Sequence, residues 1–153
     1  MNDGIETAKD FIRATRDILK TMAGMEARPG APYVKKDRTA EGDVSAIIGV
    51  TGDRTGTISV SFSRACAMAL VKGMLGDSVE DIVKDTQDAV GEVANMVSGQ
   101  ARASSAARGI VMQGSTPSVI MGVGHSISHQ SGRPVMAIPF STESGDFTVE
   151  FCF

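Results

Sequence analysis

Apolar residues recur at helical spacing in three parts of the chain, and each part carries boundary signals at its ends. The predicted helices cover residues 5–22, 64–74 and about 79–107. Their expected N-caps are Asn2 or Asp3 for the first helix and Ser63 for the second. Gly76 and Gly109 are expected to end the second and third helices.

Shorter patterns between and after these helices predict β-strands. Residues 42–50 and 57–62 alternate around a Gly-rich turn, which predicts a β-hairpin. After residue 109, alternating or apolar runs lie between Gly, Ser and Pro turns and are predicted as strands joined mainly as hairpins. These runs are 110–112, 118–121, 125–129, 135–140 and 146–153. The order of elements indicates one α+β domain, residues 1–153, with a mostly antiparallel β-sheet and helices packed on one face.

In the predicted third helix, polar residues as well as apolar ones form a line. At about 100° per residue, Asp88, Glu92, Asn95 and Gly99 fall within an arc of roughly 60°. The opposite face carries Val90, Val93, Ala94, Val97 and Ala101. The helix is therefore expected to be anchored by its apolar side. Its polar side would offer two carboxylates, a carboxamide and a glycine to another macromolecule.

A solvated helix face is the alternative interpretation of this line, and it is the commonest role of polar residues at such spacing. Asn95 counts against it, because asparagine costs roughly 0.5 kcal/mol relative to alanine in a helix interior. The polar line is therefore the best candidate in the sequence for a site with chemistry.

Charge and composition narrow the class of protein. The 153-residue chain has a formal net charge of −3, and its only basic cluster is Lys35–Arg38, so a nucleic-acid interface is not supported. Apolar runs are too short for a membrane span, and the N-terminal residues lack the pattern of a signal peptide, which predicts a cytoplasmic protein with no membrane contact. Cys66 and Cys152 lie in apolar surroundings and are expected to be reduced core thiols.

Two other pairs of residues receive structural interpretations. His125 and His129 fall in a predicted strand, which would place them about 13 Å apart, too far for a shared metal ion. Arg102 and Arg108 lie near the end of the third helix and are expected to interact with its C-terminal dipole.

The spacing Asp88-x3-Glu92-x2-Asn95, followed by Pro117, resembles the signature of the CheX, CheC and FliY phosphatases. Three further segments are similar to the corresponding parts of CheX proteins, and the resemblance extends over most of the chain. These segments are 49–58, 117–122 and the closing strands from Ile138 to Phe140 and from Gly145 to Glu150.

The resemblance implies a hydrolase that removes the phosphoryl group from the aspartate of a CheY-like response regulator and so terminates chemotaxis or related two-component signalling. Asn95 and Glu92 would be the catalytic residues, with Glu92 pairing with a lysine of the substrate protein. The resemblance also implies that Mg²⁺ is held by the phosphorylated receiver domain, so that this chain needs no metal or cofactor of its own.

Other residues of the face have less defined roles. Asp88 is expected to dock the partner or support Glu92, or it merely solvates the helix. Gly99 provides clearance for a partner or packs the helix on the sheet, and Met96 offers an apolar partner contact beside its use in the core. Pro117 is expected to shape the loop into the following strand.

Only one copy of the motif is present, which resembles CheX rather than the two-site CheC and implies a homodimer joined through sheet edges. Two other functions stay open. The chain is alternatively a non-catalytic binding module that docks a receiver domain or a flagellar-switch component through the same helix face. A purely structural dimerisation domain, in which neither Glu92 nor Asn95 matters, is the third interpretation.

Overall fold

The computed structural model describes residues 2–129 and 133–153. It contains three α-helices: α1 (Asn2–Ala23), α2 (Arg64–Leu75) and α3 (Ile82–Ala107). The strands that precede α3 are β1 (Arg28–Pro29), β2 (Tyr33–Lys35), β3 (Val44–Gly52) and β4 (Gly56–Phe62). Those that follow it are β5 (Met112–Gly114), β6 (Ser118–Met121), β7 (Val135–Thr142) and β8 (Gly145–Cys152).

The strands form one antiparallel sheet in the order β1-β7-β8-β4-β3-β5, with β2 also paired to β7 and β6 also paired to β3. One face of this sheet and the three helices share a single hydrophobic core. The predicted α+β fold, a single domain with helices on one face of an antiparallel sheet, is therefore confirmed.

Alternation along β8 shows how the strands build that core. Phe147, Val149 and Phe151 point toward the helices, and the ring of Phe11 from α1 stacks on Phe151 with their centroids 5.1 Å apart. The intervening Glu150 points to the other face and is also buried, at 1% exposure. The sheet is thus also covered around Glu150 on its second face, although only the first face carries helices.

The chain that follows β6 contributes to this second cover. His125 bonds through Nε2 to Ser45 Oγ, 2.6 Å away on the far face of β3, and His129 bonds through Nε2 to Glu150 Oε1 at 3.1 Å. The predicted strand at 125–129 is wrong, because Ser126 forms only an isolated bridge with Thr39. Side-chain contacts to the sheet, rather than ladder pairing, hold this segment in place.

Helix boundaries follow their caps. Ser63 caps α2 by accepting a hydrogen bond from the Cys66 amide, and Gly76 ends that helix, as predicted. The start predicted for α3 near Val79 is wrong, because a 3₁₀ turn covers Gly76–Ser78 and Asp81 is the N-cap. The N-cap prediction for α1 is also wrong, since α1 already includes Asn2 and its neighbour Asp3.

Strand pairing differs from a simple series of hairpins. The β3–β4 and β7–β8 hairpins are present as predicted. By contrast, β5 and β6 both pair with β3, at opposite ends of it, and so form one interrupted edge of the sheet. The short strands β1 and β2, which pair with β7, carry no recognisable alternation in the sequence.

Cys66 and Cys152 are both buried and are not joined in a disulfide, which confirms them as core thiols. Burial raises the pKa of Cys66 to about 11. Among the described helices, none combines the length and the apolar character that crossing a bilayer requires.

Candidate functional site

The two sides of α3 are as different in the structure as in the sequence. Its predicted anchoring residues are all buried in the core: Val90, Val93, Ala94, Val97 and Ala101. Asp88, Glu92 and Asn95 are exposed on the other side. The helix period therefore predicts correctly which residues of α3 reach solvent.

These exposed residues line an open cleft between α3 and the interrupted edge of the sheet. Its volume is about 470 Å³, and its walls are Gln87, Asp88, Gly91, Glu92, Asn95, Thr116, Pro117 and Val119. We call this the α3 cleft. Because it is shallow and wide, it suits a protruding group of another protein better than an enclosed small molecule.

Gly91 sets the distance between the helix and the edge strand. A Cβ at this position would lie 3.4 Å from Val119 Cγ2, at the short limit of van der Waals contact, so little more than a methyl group would fit there. Glycine therefore lets α3 lie close against β6. This close approach places Pro117, in the connection between β5 and β6, on the wall of the α3 cleft opposite the helix.

Sequence reasoning missed four residues of the cleft: Gln87, Gly91, Thr116 and Val119. Gln87 lies one turn before Gly91 on the side of α3 that turns toward β6, and Thr116 precedes Pro117 in the connection. Their membership depends on how the helix docks against the sheet edge. The helical period of α3 alone carries no signal for it.

The polar side chains of the cleft are available for a partner. Within residues 2–129 and 133–153, no intramolecular hydrogen bond or ion pair engages the side chains of Asp88, Glu92 or Asn95. The Asn95 carboxamide therefore retains its acceptor oxygen and both of its donor protons for molecules that enter the cleft. It is held there by a helix whose other side is fixed in the core.

Gly99 and Met96 lie beside the cleft and do not line it. A Cβ at Gly99 would have only Arg102 Nη2 near it, at 3.9 Å, so packing on the sheet does not require glycine at this position. Met96 is partly buried and packs against the hydrophobic core. The predicted partner contacts of both residues stay predictions.

The cleft contains no imidazole, thiol or basic side chain among its lining residues. In the described part of the chain, no group of three or more His, Cys, Asp and Glu residues is arranged to hold a metal ion. The chemistry that the cleft itself can supply is hydrogen bonding by a carboxamide and ion pairing by two carboxylates.

Arg102 lies more than one turn before the end of α3 and Arg108 is its C-cap, and the side chains of both bind specific groups, so that their predicted roles at the helix dipole stay predictions. Arg108 donates to the buried carboxylate of Asp10 in α1. Arg102 donates from Nε to Ser98 Oγ at 3.1 Å and from Nη1 to the Met112 carbonyl of β5 at 3.4 Å. They tie α3 to its neighbours.

Comparison with known proteins assigns this arrangement to a family. The model of the chemotaxis phosphatase CheX matches residues 44–141, a region that includes all of α3 and the connection carrying Pro117. The chain belongs to the CheX family. A comparison with curated protein sequences finds no match.

Solved structures of similar proteins agree with this membership. A chemotaxis protein CheX from Desulfovibrio desulfuricans is 60% identical, with a TM-score of 0.91 over 96% of this chain and 98% of that one. A chemotaxis protein from Desulfovibrio vulgaris Hildenborough is 65% identical, with a TM-score of 0.93 over 98% of this chain and 97% of that one.

A more distant member shares the fold. The structure of a CheX–CheY–BeF₃–Mg²⁺ complex from Borrelia burgdorferi matches 95% of this chain and 96% of that one, at 23% identity and a TM-score of 0.80. The two proteins therefore share the same fold.

Proposed function

We propose that this protein hydrolyses the aspartyl phosphate of a CheY-like receiver domain. The observation that carries the proposal is the exposed Asn95 carboxamide, which is held beside Glu92 in the α3 cleft without an intramolecular partner in the described chain. Membership of the CheX family supports the same conclusion. The open shape of the cleft suits a protein substrate.

The reaction needs alignment more than it needs a strong base. Water attacks phosphorus in line with the departing carboxylate oxygen, the bond between phosphorus and that oxygen breaks, and a proton from water passes to the phosphate. The Asn95 oxygen accepts a hydrogen bond from the attacking water and leaves a lone pair of that water directed at phosphorus. Such positioning contributes roughly 10²-fold or more to the rate.

Glu92 engages the partner one turn before Asn95. Its carboxylate pairs with the phosphoryl-binding lysine of the receiver, which places Asn95 over the phosphoryl group. Asp88, at the entrance of the same face, docks the partner or supports Glu92, while Gly99 leaves room and Met96 offers an apolar contact.

The receiver supplies Mg²⁺ in this proposal, and the phosphatase brings no cofactor of its own. The complex from Borrelia burgdorferi, which contains CheX, CheY, BeF₃ and Mg²⁺, supports this division of roles. The encounter would take place in the cytoplasm, where receiver domains are phosphorylated.

We further propose that the protein is a homodimer joined through sheet edges. The sheet ends in short strands on both sides, β1 and β2 against β7 and the interrupted pair β5 and β6 against β3. The outer side of an edge strand presents unpaired backbone donors and acceptors that a second copy can bind.

The test is the decay of a CheY-like receiver phosphorylated on its aspartate, followed in Mg²⁺ with and without catalytic amounts of this protein. Faster decay, with each protein molecule acting on many receivers, is the expected result. Unchanged decay together with measurable binding would reject the phosphatase and favour the docking module. The variant Lys84→Ala, on an exposed position of α3 outside the cleft, is the control and should be as active as the wild type.

A further inference from the structure

Arg102 extends the functional face of α3 beyond the α3 cleft. It lies seven residues after Asn95, which corresponds to about 10 Å along the helix and only about 20° around it. Gly99 lies between the two on the same face. The face thus carries carboxylates at one end, a carboxamide in the middle and a guanidinium at the other end.

The guanidinium of Arg102 is held in place before any partner arrives. Ser98, which accepts from its Nε, is fully buried, and Met112, which accepts from Nη1 through its carbonyl, belongs to β5. The planar group also lies on Gly114, where a Cβ would come within 3.0 Å of Nη2. A fixed guanidinium loses little conformational entropy when it binds an anion.

Arg102 is half-buried, so part of the residue still reaches solvent. A guanidinium has five N–H donors, and the two contacts above use two of them. In residues 2–129 and 133–153, no carboxylate forms an ion pair with Arg102. By contrast, the buried carboxylate of Asp10 forms ion pairs with both Arg13 and Arg108. Arg102 is therefore a half-buried cation whose guanidinium is held in one orientation and has no carboxylate partner among the described residues.

We propose that Arg102, about two helical turns along α3 from Asn95, binds a carboxylate on the surface of the phosphorylated receiver. This inference rests on the proposed function and names a further contact of the same face. With Glu92 pairing with a cation and Arg102 with an anion, the partner meets opposite charges at two fixed points. Two such contacts fix its orientation as well as its affinity.

The glycines around Arg102 set the space available to its guanidinium. At Gly99, a Cβ would approach only Nη2, and at Gly114 it would collide with the guanidinium. Glycine at position 114 thus leaves the space that the guanidinium occupies, whereas position 99 would also accept a small side chain.

The experiment measures kcat and KM for dephosphorylation, and in parallel the Kd for the same receiver activated with beryllofluoride and Mg²⁺. The variants are Arg102→Gln, Arg102→Glu and Arg102→Lys, and Arg16→Gln on the exposed side of α1 is the matched control. We expect Arg102→Gln to raise KM and Kd about tenfold and to leave kcat within about twofold. Arg102→Glu should raise them further, and Arg102→Lys should recover part of the affinity.

Salt separates a charge contact from a structural one. The difference in Kd between wild type and Arg102→Gln should shrink as NaCl rises from about 0.05 M to about 0.5 M, because the pair is screened. Equal Kd values for wild type and Arg102→Gln, or a loss that is the same for all three variants and independent of salt, would overturn the inference.

The two proposals fail in different ways. If the wild type binds the activated receiver but does not accelerate decay, the phosphatase proposal fails and the Kd series still decides the role of Arg102. If the wild type accelerates decay and Arg102→Gln matches it in KM, only the Arg102 inference fails. If the wild type neither binds nor accelerates, both are rejected.

Discussion

Asn95 lies on the exposed side of the long helix α3. Asparagine is a poor helix former in such an interior position. No intramolecular contact in the described chain compensates for this choice. Together with Glu92 it was predictable from the sequence, because the period of α3 alone separates exposed from buried positions. Gln87 and Thr116 were not, since their place in the cleft depends on the docking of α3 against the sheet edge.

Glu92 is expected to act mainly on partner affinity. Replacing Glu92 with Gln removes the charge but nearly preserves the shape, so it should raise KM about tenfold through loss of the ion pair. The measurement is the KM for dephosphorylation at low and high salt, with Glu143→Gln in the exposed β7–β8 turn as the control. A Glu92→Gln enzyme with wild-type KM at both salt concentrations would reject the pairing role.

At the scale of elements, the two glycines of α3 differ in how closely a neighbouring element packs against them. A Cβ at Gly91 would lie 3.4 Å from Val119 Cγ2 of β6, whereas a Cβ at Gly99 would have only Arg102 Nη2 near it, at 3.9 Å. The sequence left packing and clearance as alternatives for Gly99, because a helical position alone does not show what the neighbouring element presents. The structure places the packing requirement at Gly91.

Opposite effects on stability are therefore expected from substitutions at these glycines. Gly99→Ala should raise the free energy of unfolding by about 0.5–1 kcal/mol, because alanine favours the helix and meets no obstacle. Gly91→Leu should lower it by about 1–3 kcal/mol, because the added atoms press against β6. Urea denaturation of both variants checks this, and destabilisation by Gly99→Ala would contradict the account.

The strand pattern shows where periodicity fails as a guide. The hairpins β3–β4 and β7–β8 were predictable, because each pairs consecutive alternating runs. The segment 125–129 alternates equally well but forms no strand, since its side chains bond to groups under the sheet. An alternating sequence pattern indicates which side chains are buried. It does not show whether the backbone pairs in a sheet or whether side-chain contacts alone hold the segment in place.

At the scale of the whole molecule, the far face of the sheet is the part that sequence reasoning describes least well. Its residues are polar, and a polar face of an antiparallel sheet is normally solvent-exposed. Here Ser45, Ser59, Ser61 and Glu150 are all buried. Lys35 Nζ lies 2.9 Å from Glu150 Oε2, and His129 binds the other oxygen of that carboxylate.

This buried cluster predicts acid sensitivity. Burial alone raises the pKa of Glu150, but hydrogen bonds from His129 and Lys35 outweigh it and hold the pKa below its usual value of 4.5. A lowered carboxyl pKa in the folded state stabilises the protein above the unfolded pKa, and this stabilisation is lost as the pH falls through the folded pKa. The free energy of unfolding should therefore decline below about pH 4.5.

Glu150→Gln tests this linkage. The variant should be less stable than the wild type by up to about 3–5 kcal/mol at pH 7, because Lys35 loses its buried charge partner and keeps only the partly exposed Glu41, at 3.7 Å. Its stability should also fall less steeply at acid pH. Denaturant melts from about pH 7 to about pH 3 measure both effects, and a pH profile parallel to that of the wild type would contradict the role of Glu150. Glu143→Gln should behave as the wild type.

The proposed dimer is tested by the mass of the protein in solution. Light scattering after size exclusion should give about twice the 16.0 kDa of one chain. A mass of one chain at every concentration would reject the dimer and leave the proposals for the α3 cleft unaffected.

The central claim is that the Asn95 carboxamide aligns the attacking water. The measurement that tests it most directly compares wild type and Asn95→Ala in kcat for receiver dephosphorylation and in Kd for the beryllofluoride-activated receiver. We predict that kcat falls roughly 10²-fold or more while Kd changes by less than about threefold, because the group acts on the transition state rather than on docking. An Asn95→Ala enzyme with wild-type kcat, or one whose loss lies entirely in Kd, would contradict the claim.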